Sequence, residues 1–197
     1  MRIIGIAGSP RRHGNSTTLL RQVLAGAAEA GAQGEIIHLN DRLYRGCQDC
    51  PVCGREGRCV VTDDLSPVLA RLPQADIWAL ATPIYYDGVC GQLKMFFDRC
   101  RHLTRGRDGR LEPQLSGPRA AVIVATYADD ERSDYPAVAK VLASYLRWMG
   151  DFAPVEILCE PQLGPADAAS KRPDLLAKAC DVGRQVAGDL GRRLQSA

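Results

Sequence analysis

Five short apolar runs, each followed by a stretch of helical periodicity, constrain this chain more than any other feature. The runs cover residues 2–7, 35–39, 76–81, 120–126 and 154–159. They are continuous rather than alternating, as in strands that a parallel sheet buries on both faces. The first helical stretch opens near Thr17 and places Leu19, Leu20, Val23, Leu24, Ala27 and Ala28 on one stripe, with Gly31 as its stop. Asp63-Asp64 sit where they can cap a second helix through Leu65, Val68 and Leu69 to Pro73. A third helix over 91–101 buries Leu93, Phe96, Phe97 and Cys100. A fourth starts at Pro136, after Ser133 and Asp134. It buries Val138, Val141, Leu142, Tyr145, Leu146 and Met149, and ends at Gly150. A fifth covers 173–194. Residues 104–118 are polar and read as a solvated loop, and residues 82–88 read as a loop after the third strand.

Alternation of strand and helix predicts an α/β fold with helices on both faces of one parallel sheet. The 197 residues suit a single domain with a full core. With five strands, one available order is the flavodoxin-like 2-1-3-4-5, a three-layer sandwich that holds FMN beyond the carboxyl ends of its strands. The loops after the first, third and fourth strands should meet there.

The first of these loops is rich in donors. Gly8-Ser9-Pro10-Arg11-Arg12-His13-Gly14-Asn15-Ser16-Thr17 links a buried strand to a helix N-terminus. Free backbone amides and the positive end of the helix dipole make such a turn an anion site. Ser9, Asn15, Ser16 and Thr17 add side-chain donors, and Arg11 adds a charge suited to phosphate. The plainer alternative is a strand-to-helix turn with Ser or Asn as N-cap. It is not a P-loop, since no Gly-Lys-Ser/Thr follows, and it lacks the spacing of a dinucleotide fingerprint. In the loop after the third strand, Pro83 stiffens the chain. Tyr85 and Tyr86 sit where an anchored phosphate would deliver an aromatic ring, with Ile84 and Asp87 beside them. Backbone groups of Ile84 to Tyr86 can bond the polar edge of a flavin; the alternative is that the tyrosines pack under the following helix.

Four of the eight cysteines fall within thirteen residues, as Cys47-x2-Cys50-x2-Cys53-x5-Cys59. The chain reads as cytoplasmic, because residues 3–7 are too short for a signal peptide; a disulfide framework is therefore not expected. Zinc sites commonly use two separated pairs, whereas here two C-x-x-C units share Cys50. The spacing is closer to the ferredoxin run that wraps a [4Fe–4S] cluster, with zinc as the alternative metal. Cys90, Cys100, Cys159 and Cys180 fall on apolar stretches and read as small buried hydrophobes. A net charge of +2 with sparse aromatics gives no nucleic-acid footprint, and no apolar run is long enough to span a membrane.

These motifs together resemble the NADPH-dependent FMN reductase superfamily. Gly8-Ser9-Pro10-Arg11 with Gly14-Asn15-Ser16-Thr17 resembles its FMN-phosphate loop. Thr82-Pro83-Ile84-Tyr85-Tyr86, followed by Gln92-Leu93-Lys94-Met95-Phe96-Phe97-Asp98-Arg99, resembles its flavin-ring loop and the next helix. The compact cysteine motif, with Gly57 before Cys59 and Asp63-Asp64 after it, is similar to the iron–sulfur flavoproteins of that superfamily. The resemblance implies FMN near the interface of a homodimer or a tetramer, a [4Fe–4S] cluster nearby, and electrons from a donor such as ferredoxin. The flavin N5 would carry the chemistry, with no catalytic side chain. The competing implication is a reductase that takes electrons from NAD(P)H without a cluster; a third is a non-enzymatic electron carrier or redox sensor. Arg45, Arg55 and Arg58 give the cysteine segment a basic cast suited to an acidic ferredoxin, or a solvated charged loop. Thr126-Tyr127-Ala128-Asp129-Asp130 departs from the glycine-rich segment many relatives carry after the fourth strand.

Overall fold

The computed structural model describes residues 1–107, 110–130 and 134–196. Strands β1 (Arg2–Ala7), β2 (Gln33–His38), β3 (Ile77–Tyr85), β7 (Pro118–Thr126) and β8 (Asp151–Glu160) form a parallel sheet in the order β2-β1-β3-β7-β8. Counting these five in chain order gives the expected 2-1-3-4-5. A two-residue strand β4 (Gly88–Val89) adds an antiparallel partner to the end of β3, and β5 (Thr104–Arg107) pairs with β6 (Arg110–Pro113) as a separate hairpin.

Period-2 alternation sends each strand's side chains into two cores. Ile3, Ala7, Ile77, Ala79, Ala81, Val122 and Val124 pack against α1 (Asn15–Glu29) and α6 (Pro173–Ser196). Ile4, Ile6, Trp78, Leu80, Ala121 and Ile123 face the opposite core, with α3 (Ser66–Arg71), α4 (Gly91–Arg99) and α5 (Tyr135–Met149). The short α2 (Val52–Glu56) lies inside the cysteine segment. Helices α1 and α6 cross closely. A Cβ built on Gly26 would fall 1.8 Å from the Cys180 carbonyl oxygen, and one on Gly183 2.0 Å from that of Val23.

Several elements differ from the sequence expectation. Residues 82–85 are not loop: Thr82 and Pro83 pair with Ala125 and Thr126 of β7, and Ile84 and Tyr85 with Val89 and Gly88 of β4. Tyr86 (φ 47°) and Asp87 (φ 56°) make the two-residue turn, both in the left-handed region that a tight hairpin demands. Thr104–Arg107 and Arg110–Pro113 pair as two polar strands in place of a solvated loop, held at their base by Arg101 Nη1, which donates to the Thr104 carbonyl at 2.6 Å. The helix after β3 ends at Arg99 and tightens into a 3-10 turn over Cys100–Leu103. On α5, Leu142, Leu146 and Met149 are buried as expected, but Val141 is 47% exposed, and Trp148 beside it is 50% exposed. Of the residues placed ahead of that helix, Ser133 lies outside the described set. Cys90 and Cys100 are buried, whereas Cys159 and Cys180 are only half-buried. Among the described residues no helix is long and apolar enough to cross a membrane.

Candidate functional site

Gly8 leaves β1 where two chains crowd it. Its amide donates to the Ala81 carbonyl at 2.8 Å, and its own carbonyl accepts from Cys90 Sγ at 3.1 Å. A Cβ here would lie 2.8 Å from Cys90 Sγ and 2.9 Å from Leu93 Cβ. The loop then folds on itself. Ser9 Oγ accepts from the Arg11 amide at 3.1 Å, and the Arg11 carbonyl accepts from the Gly14 amide at 3.2 Å and Thr17 Oγ1 at 3.3 Å. The turn opens onto α1, capped by Gly14, whose carbonyl accepts the Thr18 amide. The amides of the first turn, Asn15 to Thr17, have no acceptor within the helix. There is no acidic residue in this turn to compete for an anion.

This loop forms one wall of a cleft of about 230 Å³ lined by Ser9, Arg11, Gly14, Asn15 and Ser16. Pro83, Ile84 and Tyr85 make the second wall, and Thr126, Tyr127 and Ala128 the third. Leu163 and Gly164, from the loop after β8, close it. The cleft stands at the carboxyl ends of β1, β3 and β7. Free amides at one end and a half-exposed tyrosine on another wall fit a phosphate-bearing, flat-ringed ligand such as FMN.

Not every expected residue faces this cleft. Thr17 is fully buried and spends its hydroxyl on the Arg11 carbonyl. Asn15 lines the cleft, but its side chain is engaged elsewhere. Nδ2 donates to the carbonyls of Leu163 and Pro165, both at 2.7 Å, and Oδ1 accepts from the Ala169 amide at 2.8 Å. It is a clamp holding the loop after β8 against α1, so only its backbone amide is left for a ligand. Tyr86 points away into solvent at the hairpin tip. Asp87 lines a second cavity, of about 540 Å³, with Val138, Val141 and Tyr145 of α5. The wall from 126–128 is the expected loop after the fourth central strand, whereas that from 163–164 is an addition, for which the turn dipeptide Gly164-Pro165 was the available signal.

The cysteine segment leaves the sheet after β2 and is tied shut at its base. The Leu43 and Arg45 amides donate to Asp64 Oδ2 at 2.9 Å and Asp63 Oδ2 at 3.1 Å. Arg99, at the end of α4, binds both stems. Nη1 donates to the Arg45 carbonyl (2.8 Å) and Asp63 Oδ2 (2.7 Å), and Nη2 to the Val61 carbonyl (2.9 Å) and Asp63 Oδ1 (3.2 Å). Its Nε donates to Cys59 Sγ at 3.1 Å. Burial alone would push the Asp63 carboxyl up; the hydrogen bonds from Arg99, Arg45 and Leu65 outweigh it and hold the carboxyl below its ordinary value. From β5, Arg105 donates to the carbonyls of Gly54 and Arg55 in α2, which Gly57 terminates in the left-handed conformation. Neither Arg99 nor Arg105 was among the residues expected at the site.

Burial raises the Cys53 thiol; the Arg101 charge lowers it, and Cys50, Cys47 and Cys59 raise it further. All three of the other cysteines are thus close enough for their charge to be felt at Cys53. Cys47 also lines an apolar cavity of about 470 Å³ with Phe97, Tyr145 and Trp148. Among the described residues, no three His, Cys, Asp or Glu side chains converge on a metal-binding point. As a donor set, four thiols on one short, arginine-braced segment suit a thiophilic metal or an iron–sulfur cluster.

Residues 1–142 match the family model for NADPH-dependent FMN reductase. The chain belongs to that family. It is 43% identical over 106 residues to the iron-sulfur flavoprotein MJ1083 of Methanocaldococcus jannaschii, a stretch covering 54% of this chain and 55% of the relative. It is 30% identical over 142 residues to an iron-sulfur flavoprotein of Archaeoglobus fulgidus, covering 72% and 67% of the two. The match with MJ1083 thus spans about half of that relative's length. Among solved structures, the NAD(P)H:quinone oxidoreductase from Methanothermobacter marburgensis aligns with a TM-score of 0.71 at 21% identity, covering 94% of this chain and 96% of that one. That family's flavodoxin-like fold is the one described above.

Proposed function

We propose that this chain is an FMN-dependent oxidoreductase of the iron–sulfur flavoprotein type, taking electrons from a one-electron donor such as ferredoxin. The observation that carries the reading is the pairing of a cleft lined by a strand-to-helix turn at the sheet's carboxyl edge with an arginine-braced segment that carries four thiols. The likeness to proteins named iron-sulfur flavoprotein supports it. When bound, FMN exchanges electrons singly or in pairs and a [4Fe–4S] cluster passes them one at a time. The chain's part is to bind and orient. Ser9, Arg11 and the amides of Asn15, Ser16 and Thr17 would hold the phosphate. Pro83, Ile84 and Tyr85 would flank the ring; Tyr86 and Asp87 would support that wall as its turn. Cys47, Cys50, Cys53 and Cys59 would be the cluster ligands.

Helix α4 joins the two halves. Cys90, at its N-cap, touches the Gly8 carbonyl, and Arg99, at its last turn, touches Cys59. Residues 1–197 would act as one FMN-binding domain with the cysteine segment inserted at about 44–61. The exposed apolar Val141 and Trp148 suit a homodimer contact. For ferredoxin docking, Arg45 and Arg55 remain the candidate charges, because Arg58 pairs with Glu56 at 2.6 Å.

One observation favours a second reading, an NAD(P)H-dependent FMN or quinone reductase without a cluster: the four sulfurs do not converge on one point. Purification without oxygen, with FMN, iron, sulfide and zinc assayed per chain, separates the two. One FMN with about four iron and four sulfide supports the first, as does loss of iron but not FMN in Cys50→Ala. FMN with no iron or sulfide, and rapid oxidation of NADPH, establishes the second.

A further inference from the structure

We propose that Arg99 is a positioning residue for the cysteine site: its Nε–H fixes Cys59 as a ligand and raises the reduction potential of the cluster bound there. The inference rests on the iron–sulfur reading above and goes beyond it, because Arg99 is neither a ligand nor part of the flavin cleft.

Three observations carry it. The first is geometric. Cys59 follows Cys53 after five intervening residues, whereas the other neighbouring pairs are separated by two. It therefore has the weakest local constraint, and the Arg99 Nε contact at 3.1 Å replaces that constraint. The second is rigidity. Each of the three guanidinium nitrogens has an acceptor, and the two terminal nitrogens are held by Asp63 and by carbonyls from both stems of the segment. The fork cannot swing away from the sulfur without breaking four other hydrogen bonds. The third is burial: the Arg99 side chain is 0% exposed and its partner Asp63 only 10%.

The physical consequence follows from charge. Reduction adds one electron to a cluster that thiolates already make negative. An N–H donor and a nearby cation stabilise that added charge, more so where water cannot screen them. Asp63 offsets part of the cation's field. It binds Nη1 and Nη2, however, and leaves Nε as the donor aimed at the sulfur.

The test uses the full-length protein purified without oxygen. Arg99→Gln removes the charge, and Arg99→Lys keeps the charge but loses the planar fork. Arg99→Gln also strands the Asp63 carboxylate, so a double variant, Asp63→Asn with Arg99→Gln, removes both charges and guards against simple unfolding. The readouts are the cluster potential by EPR-monitored redox titration, iron and sulfide per chain, and FMN per chain. A fourth is hyperfine coupling of ¹⁵N-labelled arginine to the reduced cluster of the unmodified protein. The expected result is one coupled arginine nitrogen in the unmodified protein and FMN retained at one per chain in the variants under saturating flavin. The potential of Arg99→Gln and of the double variant should shift negative, by at least tenfold in the one-electron equilibrium, or 59 mV, with Arg99→Lys between. Full cluster content with a less than twofold change in that equilibrium, or no arginine coupling, overturns the proposal and leaves the iron–sulfur reading standing. Absence of iron and sulfide in the unmodified protein overturns that parent reading instead.

Discussion

Gly8 is where the phosphate loop and the helix leading to the cysteines press hardest on each other, and Gly8→Ala measures that contact. The new Cβ would meet Cys90 Sγ at 2.8 Å, Leu93 Cβ at 2.9 Å and the Ala81 carbonyl oxygen at 3.1 Å. Gly8 is not in the left-handed region, so the cost is crowding alone. Overpacking of this kind costs about 1–3 kcal/mol. Restricting the unfolded chain returns about 0.4–1 kcal/mol, so the middle of the net range is a loss of roughly 1–2 kcal/mol. In a chain of this size that lowers Tm by about 2–8 °C. The backbone must also shift, and the amides downstream of Gly8 shift with it. Losing one hydrogen bond to a charged phosphate, about 1.5–3 kcal/mol, weakens FMN binding by roughly tenfold or more. Flavin fluorescence titration of the apoprotein and urea denaturation read the two effects separately. Cys90→Ala should relieve part of the crowding, so a double-mutant cycle should show positive coupling between the two sites. An alanine variant with unchanged stability and unchanged FMN affinity would refute the reasoning.

Asn15→Ala leaves the carbonyls of Leu163 and Pro165 and the amide of Ala169 without partners, and should cost about 1–3 kcal/mol in denaturant midpoint; an effect on FMN binding alone would mean the side chain faces the ligand after all. Arg11→Gln should weaken FMN binding and flatten its salt dependence while leaving the urea midpoint within about 0.5 kcal/mol, as for an exposed charge. Asp63→Asn leaves the buried Arg99 charge uncompensated, at a cost of about 3–5 kcal/mol. Because the Asp63 carboxyl is held below its ordinary value, the stabilisation it supplies is complete above the unfolded carboxylate pKa of about 3.9 and is lost as pH falls through the folded value. An acid-denaturation profile in which the variant and the unmodified chain show the same pH dependence would contradict the ion pair.

The sheet was legible because its three inner strands, β1, β3 and β7, are buried on both faces, which leaves continuous apolar runs in the sequence. The phosphate turn was legible for a related reason: Gly8 and the polar run behind it serve local backbone geometry. What escaped the sequence depends on partners distant along the chain. Asn15 reads as a ligand donor until the loop 163–169 is seen to consume its amide. The Tyr86-Asp87 turn lacks the Asn-Gly signature of a tight hairpin, so β3 appeared to stop four residues early. The hairpin β5–β6 is too polar to announce itself, yet it supplies Arg105 to the cysteine segment.

Arg99 is the clearest such case, and it shows why α4 matters to both halves of the site. In sequence it closes the motif Phe96-Phe97-Asp98-Arg99, within a helix expected to run on to residue 101, and nothing nearby marks it as buried. In the structure it is among the largest fully buried side chains, its charge balanced by Asp63 from the far stem of the cysteine segment. A helix with Cys90 against the phosphate loop and Arg99 against Cys59 cannot move one site without straining the other. Nine residues at 1.5 Å rise set the span between them at about 14 Å. If that bracket is what relates the flavin cleft to the thiols, changes at its two ends should be coupled. Gly8→Ala should then alter the iron content or potential of the cysteine site as well as FMN affinity, although the two positions share no direct contact. Measuring both in one preparation decides it: FMN loss with an unchanged cysteine site would show that α4 packs beside each half without linking them.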